Sequence, residues 1–341
     1  MTEGRRLAKW IVLLGTLHFF IAFAGFFAPY DPVQQDREHP YAPPVKLHFR
    51  DAQGQFHMRP FFYALGALEG PINEYEPGIS VPLKFFVDSS RYRLFGLIPC
   101  QLHLFGASRS RIYLFGTDAY GRDQFSRVLY GGQVSLLAGL LGAGGTLLFG
   151  LALGTAAGYY GGWRDEALMR IAELFMALPW LYLLLALRAF LPLAARPVEA
   201  FFLIIIVIGL VGWAGPARLI RGVVLSAKER DFVRAARGFG APDRYLLLRH
   251  VLPETYSVLL TQAAILVPQY VLAEMTLSFL GLGVPEPQAS WGNLLVSLQQ
   301  YSVLVSYWWM YLPALAILPF FFGYLGLASA LQEWTNPHRS Q

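Results

Sequence analysis

Apolar runs of about 20 residues recur along this chain, and that length is what a helix needs to cross a ~30 Å hydrocarbon core. Leu, Ile and Val fill 203–211 apart from Gly209, within an apolar run at about 199–217, and comparable runs fall at about 10–28, 132–158, 168–194, 254–280 and 307–332. Composition agrees: 55% of residues are hydrophobic and only 14% charged, where a soluble domain carries about 25% charge. The sequence therefore predicts an all-α polytopic membrane protein with six transmembrane helices. The run at 10–28 is longer than a usual signal-peptide core, and Ala28-Pro29 is a poor cleavage site, so it reads as a retained helix.

Charge gives the orientation. Arg5, Arg6 and Lys9 precede the first run and favour a cytoplasmic start. Arg218 to His250 holds eight Lys/Arg against three Asp/Glu, whereas 281–306 has no Lys or Arg. Six crossings put both termini and the basic loop in the cytoplasm and 281–306 outside. The net charge of +5 follows these loops and is no nucleic-acid signature. A single cysteine, Cys100, excludes an intrachain disulfide and any CxxC site. The seven histidines lack metal-ligand spacing.

Residues 29–115 are different material: polar, proline-rich at first and aromatic throughout. Leu47 and Phe49 alternate with polar neighbours, Asp51–Gly54 supplies a turn, and Phe56 and Met58 alternate back, which signals a hairpin. A second hairpin is expected from Leu83–Val87, a turn at Asp88-Ser89-Ser90, and Tyr92–Leu97. Leu-Phe-Gly recurs at 94–96, 104–106 and 114–116; short strands ending at glycines account for it better than a solenoid. This β-containing insert between helices one and two is expected outside the cytoplasm, and loops so long are largely exempt from the charge rule.

Three features of the rest carry the functional reading. Gly150, Gly154 and Gly158 recur every four residues, the spacing that lets a second helix approach closely in lipid. Glu274, a carboxylate inside the fifth run, marks either a polar path or a helix pairing; Glu173 and Arg188 lie nearer the ends of theirs and can snorkel. Between the fourth and fifth runs, Lys228–Arg237 is helix-compatible, Gly238 and Gly240 break the pattern, and Pro242 starts a second short amphipathic helix. Such a segment cannot bury itself in lipid and reads as the place where a soluble partner grips. Asp118, Arg122 and Asp123 look catalytic, but no nucleophile or ligand set accompanies them, so they read as a structural elbow.

Four motifs, in order, resemble the membrane permease subunit of bacterial ATP-binding-cassette importers, specifically the second permease of the dipeptide/oligopeptide class. They are Gly116-Thr117-Asp118…Gly121-Arg122-Asp123…Ser126-Arg127, then Ala157-Gly158-Tyr159-Tyr160-Gly161-Gly162-Trp163…Asp165. Next come Ala235-Ala236-x3-Gly240 with Arg249–Pro253, and Glu274-x3-Ser278–Gly283 with Ser290-Trp291-Gly292. The resemblance covers 116 to about 292 and implies the type I importer permease fold. Its core would span 116–335, with a coupling loop at 218–253, behind helix one (1–28) and the insert, and before a cytoplasmic tail (336–341).

The resemblance assigns ATPase coupling to Arg234, Ala235, Ala236, Gly240, Ala241, Pro242, Asp243 and Arg244, with about Ala241–Leu247 as a helix docking into the ATPase. It implies an inner-membrane location, a second homologous permease, two ATPase subunits and an extracytoplasmic solute-binding protein. With no GxxxxGK[ST] in the chain, ATP and Mg belong to the ATPases; no cofactor is expected here. The sequence departs from the family at Arg234, where an acid usually precedes the alanines, at Glu254, where an asparagine usually follows Leu-Pro, and in the long insert. Peptides are the implied cargo; nickel or another small solute is the alternative in relatives of this pattern.

Overall fold

The computed structural model describes residues 2–51, 53–65, 75–107, 110–179, 182, 185–186 and 197–335. Most of the outer half of the expected helix 168–194, with Arg188, and the tail 336–341 lie outside the described residues. The chain forms two compact units: Met1–Leu14, Leu136–Leu277 and Phe320–Gln341 in one, Gly15–Ser135 and Ser278–Pro319 in the other.

Among the described residues, three helices are long and apolar enough to cross a membrane: Gln124–Tyr160, Asp243–Phe279 and Trp308–Thr335. The pair Ile205–Gly212 and Ala214–Lys228, bent by 41°, makes a fourth if counted as one span. The first helix, Thr2–Ala22, carries Glu3, Arg5, Arg6 and Lys9 in its first turns and is interrupted at Phe23 before Ala24–Phe27. The next helix after Gln124–Tyr160 is Gly162–Ala177; it stops short of Pro179, whose ring disfavours helical backbone in the residue before it.

Two boundaries differ from the sequence reading. Gly215-Pro216 does not end the fourth helix. Pro216 falls in the first turn of Ala214–Lys228, where a missing N–H costs nothing, so helical backbone continues to Lys228. Leu252-Pro253 does not separate a docking helix from the fifth span either. The backbone passes from Asp243–Leu246 through a π-helical turn, Leu247–Val251, and a 3-10 turn, Leu252–Thr255, into Tyr256–Phe279. Pro253 has no N–H to give the preceding turn, and a local change of helical register absorbs that loss.

In the first unit Gly150, Gly154 and Gly158 of Gln124–Tyr160 face Ala214–Lys228. A Cβ at Gly150 would sit 2.8 Å from the Pro216 Cβ, one at Gly154 would strike the Ala217 carbonyl oxygen, and one at Gly158 would sit 2.9 Å from the Arg221 oxygen. Helix Thr2–Ala22 meets Leu312–Thr335 in the same manner, Leu14 and Trp10 lying against Gly323 and Gly326.

In the second unit β1 (His48–Arg50), β2 (Phe56–Leu65) and β3 (Tyr75–Pro82) form an antiparallel sheet in that order, with Arg50 opposite Phe56 around the Asp51–Gly54 turn. The second hairpin is not turned at Asp88-Ser89-Ser90. β4 (Lys84–Leu94) runs straight through, and its partner β5 (Ile98–Gly106) follows a turn at 95–97. The polar triplet is instead where the register shifts, between Asp88 and Tyr92: extra residues on one strand bulge out and leave the pairing intact on both sides. Val45, Phe62, Val81, Leu83, Phe105 and Ile112 form the core here. Asp36 ties the loop before it: it accepts from the Tyr113 hydroxyl at 2.6 Å and faces His39 at 3.0 Å and Arg111 at 3.8 Å.

Candidate coupling site

The spacing Ala236-x3-Gly240 has a structural cause. Helix Asp231–Gly238 ends with Phe239 as its cap. Gly240 donates to the Arg237 carbonyl at 3.0 Å, and Ala241 donates to the Ala236 carbonyl at 3.1 Å. Gly240 is left-handed, φ +81°. This is a Schellman stop, in which the residue after the cap must take a positive φ and glycine does so without steric cost. Pro242 then precedes Asp243–Leu246, and Asp231 and Asp243 each place a carboxylate in a first helical turn, where the helix dipole favours it.

The corner is tied to the end of the long helix. The Tyr159 hydroxyl donates to Asp243 Oδ1 at 2.6 Å, and the Arg237 guanidinium lies 5.9 Å from the Tyr159 ring centre. Lys228 Nζ donates to the Gly158 carbonyl at 3.0 Å, and Arg221 Nη2 donates to Asp165 Oδ2 at 2.6 Å. Two motifs far apart in sequence, 157–165 and 235–253, therefore build one structure. Val233, Leu246 and Val251 are buried beneath it. Glu254 pairs with Arg230 at 2.9 Å, which a neutral asparagine would not do with charge.

What remains outside is a cationic and aromatic face. Arg234, Ala235, Gly240, Pro242, Asp243 and Arg244 are exposed, and Ala236 and Ala241 half-buried. Phe239 is 92% exposed. Among the described residues Arg234, Arg244 and Arg249 make no ion pair. Tyr159, Lys228 and Phe239 were not assigned in sequence as site residues, although Tyr159 lies within the motif 157–165.

The second unit holds the elbow. Asp118 accepts from the Tyr120 and Arg122 amides at 2.8 and 3.0 Å and from Arg122 Nε at 2.7 Å. Arg122 also pairs with Glu286, as does Arg127 at 3.1 Å. Gly121 is left-handed, φ +72°, with the Asp36 carbonyl where a side chain would begin. Asp123 accepts from the Ser126 amide and hydroxyl at 2.8 and 2.6 Å, while its other oxygen is buried without a partner among the described residues. Burial pushes this carboxyl up to about 7. Ser290 and Asn293 form a capping box, and Trp291 Nε1 donates to the Val128 carbonyl at 2.9 Å.

Glu274 is fully buried. Nearby in the same unit, an open groove of about 500 Å³ is lined by Phe175, Pro179, Gly212, Gln262, Gln269 and Tyr270 among others.

A bundle of apolar helices packed through glycine, with a basic turn capped for presentation at one helix end, is the build of a transport permease. The chain belongs to the family of binding-protein-dependent transport system inner membrane components, whose pattern matches residues 150–336, and is a permease subunit of an ABC importer. It is 38% identical over 216 residues to the oligopeptide transport system permease protein OppC of Haemophilus influenzae, which covers 63% of this chain and 67% of that one. It is 35% identical over 224 residues to the dipeptide transport system permease protein DppC of Bacillus subtilis, 65% and 68% of the two chains. A solved chain of the MetNI methionine ABC transporter in inward-facing form superposes with a TM-score of 0.44 at 18% identity, over 60% of this chain and 95% of that one.

Proposed function

We propose that this permease carries peptides inward and that residues 234–244 transmit the movement of partner ATPases to its helices. The observation that supports the coupling role is the exposure of Phe239, and of arginines without an ion pair among the described residues, on a Schellman corner tied to Tyr159. Because Asp243–Phe279 is one continuous helical run, a push on the corner moves the fifth span directly. Helix Ala214–Lys228, packed on the glycines of Gln124–Tyr160, carries the other side of the loop.

Six crossings place the corner and both termini in the cytoplasm and the insert outside. The basic stretch 218–250 and the Lys/Arg-free 281–306 favour that arrangement. A second, homologous permease completes the path, two ATPase subunits bind ATP and Mg, and an extracytoplasmic binding protein delivers cargo. The groove at Gln262, Gln269 and Tyr270 is this chain's half of the path. Glu274, fully buried and not among the groove-lining residues, serves helix pairing. The names of the relatives favour a peptide over nickel.

The cargo is tested by reconstituting the chain with its partner permease, ATPases and binding protein, and offering labelled di- and oligopeptides and Ni²⁺ to the liposomes. ATP-dependent accumulation of peptide is expected. Accumulation of Ni²⁺ and not of peptide would overturn the cargo assignment.

A further inference from the structure

The hairpin β4–β5 lies along the short helix Ala24–Phe27 that continues the first helix past Phe23. His103 Nδ1 is 2.6 Å from the Ala28 carbonyl. The Tyr92 ring covers Gly25. At the tip, the Phe95 ring meets Phe23 at 5.5 Å. From His103 to the tip the hairpin thus descends the helix from residue 28 to residue 23, about 7 Å at 1.5 Å per residue.

The descending end is apolar. Leu97 is 82% exposed, and Phe95 and Ile98 are each more than half exposed. Phe95 and Gly96 both have positive φ, +52° and +73°, and Leu97 donates to the Leu94 carbonyl at 3.1 Å. Turns of this kind favour Asn-Gly, and a bulky aromatic rarely adopts that backbone, so local conformation does not account for Phe95. Arg91 and Arg93 are exposed just above the tip. The apolar face continues onto the helix, where the Phe19 ring lies 4.7 Å from Phe23 and is itself half exposed.

We propose that the β4–β5 tip is a membrane anchor: Phe95, Leu97 and Ile98 sit among the lipid chains of the outer leaflet, with Arg91 and Arg93 at headgroup phosphates. The occupant is lipid because the tip extends the exposed flank of a membrane helix, at the depth of about 5–10 Å that interfacial elements reach. Aromatic side chains suit that level, and cations beside it meet anionic headgroups. This inference rests on the topology above, in which Ala28 is at the outer end of the first span.

The full chain with Cys100→Ser is reconstituted in phosphatidylethanolamine/phosphatidylglycerol bilayers and labelled with a polarity-sensitive fluorophore at Leu97→Cys, at Ile98→Cys, or at Gln53→Cys in the β1–β2 turn. Shallow doxyl-labelled lipid is expected to quench the label at 97 and at 98 at least threefold more than at 53, with blue-shifted emission. Equal quenching at all three overturns the anchor. So does a label at 97 or 98 shielded from both doxyl lipid and aqueous iodide, which would mean a protein covers the tip. Separately, an impermeant thiol reagent added to intact spheroplasts is expected to reach Gln53→Cys. If it reacts there only after the membrane is opened, the topology fails, and the outer-leaflet assignment with it, whatever the quenching at 97.

Discussion

Asp123 shows what a single buried carboxyl does in this chain. One of its oxygens holds the first turn of the long helix through Ser126, and the other has no partner among the described residues. With its carboxyl pushed up to about 7 by burial, the folded chain holds a proton that the unfolded chain releases near the ordinary aspartate value. Stability contributed here therefore falls as pH rises from about 4 to about 7, and levels off above that. Asp123→Asn keeps a neutral acceptor, so its thermal unfolding in detergent should lose this slope; an unchanged slope would show that Asp123 is not its source. The sequence reads Asp118, Arg122 and Asp123 as an elbow, because neither a nucleophile nor a metal-ligand set accompanies them. It did not reveal Glu286, which closes the cluster from 164 residues away. A contact that distant leaves no mark on local spacing, and the lack of Lys or Arg around it was read only as topology.

At the scale of elements, apolar runs marked the three long helices Gln124–Tyr160, Asp243–Phe279 and Trp308–Thr335 and alternation marked one hairpin, while Gly215-Pro216 and two further punctuation marks were misread. Asp88-Ser89-Ser90 has turn composition, yet strand pairing on both sides absorbs it as a bulge. Leu252-Pro253 has stop composition, yet helical backbone passes through it by changing register. At the strand, pairing outweighs a local preference of about 1 kcal/mol; at Pro253 the change of helical register absorbs the missing N–H. The Ala236-x3-Gly240 spacing was visible as a motif, but its cause, a Schellman stop, needed the backbone. The glycine stripe makes a sharper prediction. At Gly154 a side chain would meet the Ala217 backbone, whereas at Gly144 nothing lies within 4 Å. Gly154→Val should destabilise the bundle by about 1–3 kcal/mol, read as a lowered melting temperature, with Gly144→Ala unchanged. Equal effects at the two positions would mean that the close approach of the helices is not what the glycine provides.

For the whole molecule, composition fixed the membrane class and charge suggested the orientation, while the motifs gave the family before any contact was known. Two motif pairs prove to be two structures: 157–165 with 235–253 at the coupling corner, and 116–127 with 286–293 at the elbow. The central claim is that the corner around Gly240 passes force between ATPase and permease. Gly240 is at φ +81° with open space around it, so Gly240→Val strains the corner while leaving the packed bundle alone. In the complex purified with its ATPases, this variant should retain wild-type permease abundance and ATPase content. It should lose at least tenfold of the ATP hydrolysis stimulated by cargo-loaded binding protein. Wild-type stimulation in Gly240→Val, with the ATPases still bound, would contradict the account.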